Sequence, residues 1–172
     1  QIPYKKYNLS LIDKRFFDEA KKLLPDNDYI GFSITQGNVY RKKSWSLDKF
    51  INLAKIISQK NKKPVFFVEK KETEIILKIK KKINNAIFPE SASSLSGPPL
   101  VTALSTRLDK AISIDNGIMH MMSLANIPMI VLFGPTNSNK FAPKIDNINI
   151  LDSKVLYSSD DIQKISEDDI LN

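Results

Sequence analysis

Short, almost wholly apolar runs recur along this chain between segments whose apolar residues fall at helical spacing, and that alternation limits its folds more than any other feature. Residues 65–68 (VFFV) and 129–133 (MIVLF) are apolar from end to end, as strands are when both faces of a sheet are covered. Residues 29–35 (YIGFSIT) and 111–114 (AISI) read as further strands, 86–88 as a very short one and 148–151 as another. Between them, 47–61 places Leu47, Phe50, Ile51, Ala54 and Ile57 on one helical face, with Ser46 as N-cap and Asp48 in the first turn. Pro64 is read as stopping that element. Residues 72–83 (ETEIILKIKKKI) carry acids early and lysines late, as the helix dipole prefers. Pro98 and Pro99 open a helix with the body PLVTALSTRL, and 117–125 forms a short one.

Strands separated by helices imply βαβ crossovers and a mainly parallel sheet. The expected fold class is therefore α/β, a Rossmann-like three-layer α/β/α arrangement. The expected organisation is a lead-in helical segment over 1–28, a ligand-binding domain over 29–157 and a terminal helix over 158–172, with 91–99 (SASSLSGPP) as a loop. At 172 residues the chain is long enough to bury a core in one domain. It opens on Gln1 rather than methionine and is expected to be a fragment or a processed product.

Composition removes several chemistries. The absence of cysteine excludes disulfides, thiolate zinc sites and cysteine nucleophiles. One histidine, His120, excludes a multi-histidine metal site, although carboxylates could still hold magnesium or calcium. The five glycines form no G-x-G-x-x-G, and neither a phosphate-binding P-loop nor a G-x-S-x-G elbow is present. The formal charge of +7 comes with lysine runs at 41–43, 60–63, 70–71 and 78–82. These runs lack interleaved aromatics and match no nucleic-acid motif, so solvated helix faces are favoured over a nucleic-acid surface. Attraction toward an anionic membrane surface or substrate stays open.

In open parallel sheets ligands bind beyond the carboxyl ends of the strands. After the 111–114 strand comes Asp115-Asn116-Gly117-Ile118-Met119-His120. A helix N-terminus there offers unpaired amides, Gly117 lets a phosphate approach the backbone, and His120 adds a donor. An ordinary Asp-Asn-Gly turn with a structural histidine is the alternative. After the first strand, Thr35 and Lys43 flank a polar, basic loop that could hold a diphosphate; a solvated loop anchored by Trp45 is the alternative. Glu69 and Glu72 follow the second strand, where a carboxylate can meet a ribose or simply start a helix. Thr136 follows the Gly134-Pro135 turn and either faces the ligand or closes a plain turn.

The segment DNGIMHMMSLANIPMIVLFGPT resembles the signature of glycosyltransferase family 9, the ADP-heptose:lipopolysaccharide heptosyltransferases. In that family D-[ST]-G-x-x-H leads into a small helix, a proline, an apolar strand and F-G-P-T. Asp115, Gly117, His120, Pro128, Phe133, Gly134, Pro135 and Thr136 match, as do Pro143 and the K-x-W of Lys43, Ser44 and Trp45. The resemblance covers roughly 29–143. It departs at Asn116, where the family has serine or threonine, in the loop after the first strand around Thr35, and in the VEKKE loop, where glycine is common.

The resemblance implies the C-terminal half of a two-domain GT-B architecture, which binds the nucleotide-sugar donor, ADP-heptose, with no metal and no other cofactor. Thr35 and Lys43 would contact the diphosphate, with Asp115, Asn116, Gly117 and His120 on the phosphates and sugar, and Glu72 or Glu69 on the ribose. No catalytic residue is assigned to this chain; the base is expected in an N-terminal domain that also carries the glycolipid acceptor. The implied setting is cytoplasmic, with peripheral contact at the inner face of the bacterial inner membrane left open. Two rivals remain: a GT-B enzyme using a UDP- or GDP-sugar, and a non-catalytic nucleotide- or nucleic-acid-binding domain.

Overall fold

The computed structural model of the chain describes residues 5–172. After a 3-10 turn at Leu9–Leu11, the elements are α1 (Lys14–Leu23), β1 (Tyr29–Ser33), α2 (Leu47–Gln59), β2 (Lys63–Phe66), α3 (Thr73–Lys82), α4 (Pro89–Ala92), α5 (Pro98–Ser105), β3 (Lys110–Ile114), α6 (Gly117–Ser123), β4 (Met129–Phe133), α7 (Ser138–Phe141), β5 (Ile148–Asp152), α8 (Ser153–Tyr157) and α9 (Glu167–Leu171). All strand pairs are parallel, in the order β2-β1-β3-β4-β5.

Strand residues alternate between two cores, as the period of two demands. Ile30, Phe32, Phe66, Ile112, Ile114, Ile130 and Leu132 pack on one face with α2, α3 and the terminal segment. Tyr29, Val65, Ala111, Met129, Val131 and Phe133 pack on the other with α1, α5 and α6. The lead-in helix and the terminal segment therefore share the cores of the domain they flank. Phe16, Ala20 and Leu24 join one, and Ile162, Ile165 and Ile170 the other. Trp45, 2% exposed, donates from Nε1 to the Ile165 carbonyl at 3.0 Å, which fixes the loop after β1 to that terminal segment.

Several boundaries differ from the sequence expectations. Pro64 lies inside β2, paired with Ile30, rather than stopping the preceding helix. β2 is an edge strand, where a missing N–H is tolerated, and the Pro64 carbonyl still accepts from the Ile87 N–H at 2.9 Å. The strand expected at 86–88 is reduced to a single bridge between Val65 and Ile87. Part of the expected 91–99 loop belongs to α4. Ser46 sits at the N-cap of α2 but makes no side-chain cap bond; its N–H donates to Gln163 Oε1 instead.

Candidate functional site

The connection from β1 leads outward to β2, while β3 returns to the other side of β1. Diverging loops at such a switch point leave a crevice at the carboxyl ends of the two strands. Ser33 ends β1 and Ile114 ends β3, so the loops beginning at Ile34 and Asp115 face each other there.

Lys43 and Asp115 meet across this crevice. Lys43 Nζ lies 3.1 Å from Asp115 Oδ2, with side-chain exposures of 14% and 8%. The same oxygen accepts from Thr136 Oγ1 at 2.7 Å, drawing in the loop after β4. The Lys43 N–H donates to Gln36 Oε1 at 2.9 Å, and Lys154 Nζ donates to the Thr136 carbonyl at 2.7 Å.

Asn116 uses both ends of its amide. Oδ1 caps α6 by accepting from the Met119 N–H at 2.8 Å and also accepts from Ser33 Oγ at 3.1 Å. Nδ2 donates to Ser33 Oγ at 2.8 Å and to the Thr35 carbonyl at 2.9 Å. A serine or threonine could cap the helix, but its single hydroxyl proton could not reproduce these links to β1 and its loop. Thr35 is thus tied to the site through its backbone. The start of α6 is open: Gly117 is exposed, and a Cβ built there meets nothing within 4 Å.

On one side of α6 lies a cavity of about 630 Å³. Leu95, Val101, Ile118 and Met121 give it apolar walls, Gly97 and Pro98 bring in the start of α5, and Glu69, Lys70, Lys71 and Glu90 are its charged groups. Glu69 is paired with Lys71 at 3.0 Å and is 61% exposed along its side chain. Glu90 differs: its Oε1 is buried and has no hydrogen-bond partner. Burial, reinforced by the like charge of Glu69, raises its carboxyl above the ordinary value.

The structure thus gathers Thr35, Lys43, Asp115, Asn116, Gly117 and Thr136 at one crevice; of the sequence-selected residues only Glu69 lines the large cavity, and Glu72 and His120 stand apart from both. Glu72 is the N-cap of α3 and does not line the cavity. His120 projects from another face of α6, into a depression of about 280 Å³ shared with Lys5, Tyr7 and Lys144. At 100° per residue, His120 cannot share a face with Ile118 and Met121. Ser33, Gln36 and Glu90 were not selected from the sequence. Ser33 and Gln36 lie beside the selected Thr35, whereas no local pattern marks Glu90.

Lys62, Lys63, Lys71, Lys78 and Lys82, from the basic runs, all hold carboxylate partners. Among the described residues, no three His, Asp or Glu side chains converge to hold a metal ion, and no helix is long and apolar enough to cross a membrane.

Comparison with known proteins places this geometry in context. The model of Glycosyltransferase family 9 (heptosyltransferase) matches residues 3–168. No curated protein matches the chain in sequence. Among solved structures, the glycosyl transferase family 9 protein from Veillonella parvula DSM 2008 aligns with a TM-score of 0.78 and 19% identity, over 93% of this chain and 50% of that one. E. coli ADP-heptose lps heptosyltransferase II aligns at 0.75 and 15% identity, over 99% of this chain and 52% of that one. E. coli heptosyltransferase WaaC with ADP aligns at 0.70 and 15% identity, over 88% and 46%. At these identities the likeness is one of fold, and the chain spans about half the length of each.

Proposed function

The chain belongs to glycosyltransferase family 9, and from that premise we propose that it is the donor-binding domain of a glycosyltransferase that moves a heptose-like sugar from an ADP-sugar to a lipopolysaccharide-core acceptor. In this reading it is the C-terminal half of a GT-B pair. The observation that carries it is the meeting of Lys43, Asp115, Asn116 and the open start of α6 at the β1/β3 switch point, with a cavity along one side of the same helix. A cavity of this size suits a nucleoside.

The donor lies across the start of α6. Its nucleoside occupies the apolar cavity, with the ribose near the exposed Glu69, which lines that cavity where Glu72 does not. Its diphosphate lies over Gly117, beside Lys43, and its sugar extends toward His120. As the sugar leaves, negative charge grows on the diphosphate, and Lys43 with the α6 amides stabilises it. The acceptor's proton goes to a base outside this chain, so the isolated chain binds donor and turns over little.

Related solved structures include one with ADP, which supports adenine as the base. Calorimetric titration with ADP, an ADP-sugar, UDP and GDP tests the reading. Saturable ADP-sugar binding, weakened by Lys43→Ala and His120→Ala, is the expected result. Equal or absent binding of all four would end it.

A further inference from the structure

Glu90 is the unexplained group in the large cavity. A buried carboxyl oxygen left without a partner is unfavourable, and Glu90 Oε1 is one of two such side-chain atoms among the described residues. The other, Ser153 Oγ, lies at the start of α8, away from the cavity lining. Glu90 comes from α4, whose entry is fixed by the buried Phe88 and Pro89, so the carboxyl is held against the cavity by packed backbone. The opposing walls, Leu95, Val101, Ile118 and Met121, suit the faces of a flat ring.

We propose that Glu90 reads the base of the donor, its carboxyl accepting a hydrogen bond from the exocyclic amine of adenine. This rests on the donor-binding reading above. The two carboxylates of the cavity divide the nucleoside between them. Glu69, exposed and neutralised by Lys71, stands where ribose hydroxyls reach solvent. Glu90, more deeply buried, stands where a base edge would meet it. Burial also favours its protonated form, whose hydroxyl can donate to a ring nitrogen beside the amine.

Adenosine 5′-diphosphate and purine riboside 5′-diphosphate, which differ only by the 6-amino group, are titrated into the chain and its Glu90→Ala and Glu90→Gln variants. The wild type should prefer ADP by roughly tenfold, the value of one good hydrogen bond. Glu90→Ala should bring the ratio to about one, and Glu90→Gln, which keeps an acceptor in place, should preserve most of it. An unchanged ratio in Glu90→Ala, no preference in the wild type, or tighter binding of GDP than ADP overturns the role of Glu90 while leaving donor binding intact. Failure of the wild type to bind any nucleotide overturns both.

Discussion

Lys43 Nζ and Asp115 Oδ2 stand 3.1 Å apart although 72 residues separate them in the chain. Their contact joins the loops leaving β1 and β3, and Thr136 adds the loop leaving β4 through the same oxygen. Three loops are thus pinned by one carboxylate that is almost out of water, so the pair both braces the crevice and holds its cation at the surface where a diphosphate is proposed to lie.

Removal of Lys43 should therefore be felt twice. Lys43→Ala leaves the Asp115 carboxylate with Thr136 alone, and urea unfolding should report a loss of about 1–3 kcal/mol. Affinity for ADP should fall roughly 10- to 100-fold, the range for a charge-assisted hydrogen bond. Adding Asp115→Asn should recover part of the stability, since no buried charge is then stranded, but none of the affinity. Recovery of affinity in the double variant would mean that Lys43 acts only as a brace.

Two glycines give opposite expectations. A Cβ at Gly117 meets nothing within 4 Å, so Gly117→Ala should leave stability within about 1 kcal/mol of wild type while weakening ADP binding at least severalfold. A Cβ at Gly134 would stand 2.7 Å from Ile162 Cβ and 3.0 Å from the Asp160 carbonyl oxygen. Gly134→Ala should cost about 1–3 kcal/mol through overpacking, whatever its effect on binding. Thermal denaturation paired with calorimetry separates the two; equal affinity in Gly117→Ala and wild type would remove the diphosphate from the start of α6.

The contrast between these residues also marks what a linear reading can reach. Asp115, Asn116 and Gly117 were legible as members of the candidate site because the crevice lies at strand ends, and the end of β3 is visible as an apolar run meeting a carboxylate. Pro64 misled because its placement depends on β2 being an edge strand, which only the strand order reveals. His120 was legible as a polar group near a helix start, but its face depends on how α6 lies against β3 and α5. Glu90 was invisible because the cavity forms only when the long connection between β2 and β3 folds back against α6, and no spacing in the sequence encodes that contact.

Stability should depend on pH through Glu90. Its carboxyl is raised in the folded chain by burial first and by Glu69 second, while Lys70 and Lys71 also line the cavity. The folded form then holds the proton more tightly than the unfolded form. No penalty exists below the unfolded value of about 4.3, and the full penalty is present once pH exceeds the folded value. Glu90→Gln should therefore melt above wild type at pH 8, with the difference shrinking toward pH 4; about 2–4 °C corresponds to 1 kcal/mol at this size. Parallel melting curves across that range would contradict the burial of Glu90 as an acid.

His120 offers a test of how the donor lies across α6. Its side chain faces the depression shared with Lys5, Tyr7 and Lys144, on another side of the helix from Ile118 and Met121. If the nucleoside fills the larger cavity, His120 is too far round the helix to meet it and is placed for the sugar end. His120→Ala should then bind ADP within about twofold of wild type but lose roughly tenfold for an ADP-sugar, the worth of one hydrogen bond. Because the residue is exposed, its loss should change stability by no more than about 0.5 kcal/mol. Calorimetry with the two ligands decides the matter: equal losses for ADP and the ADP-sugar would place the imidazole at the diphosphate, and the donor would have to run along α6 in another direction.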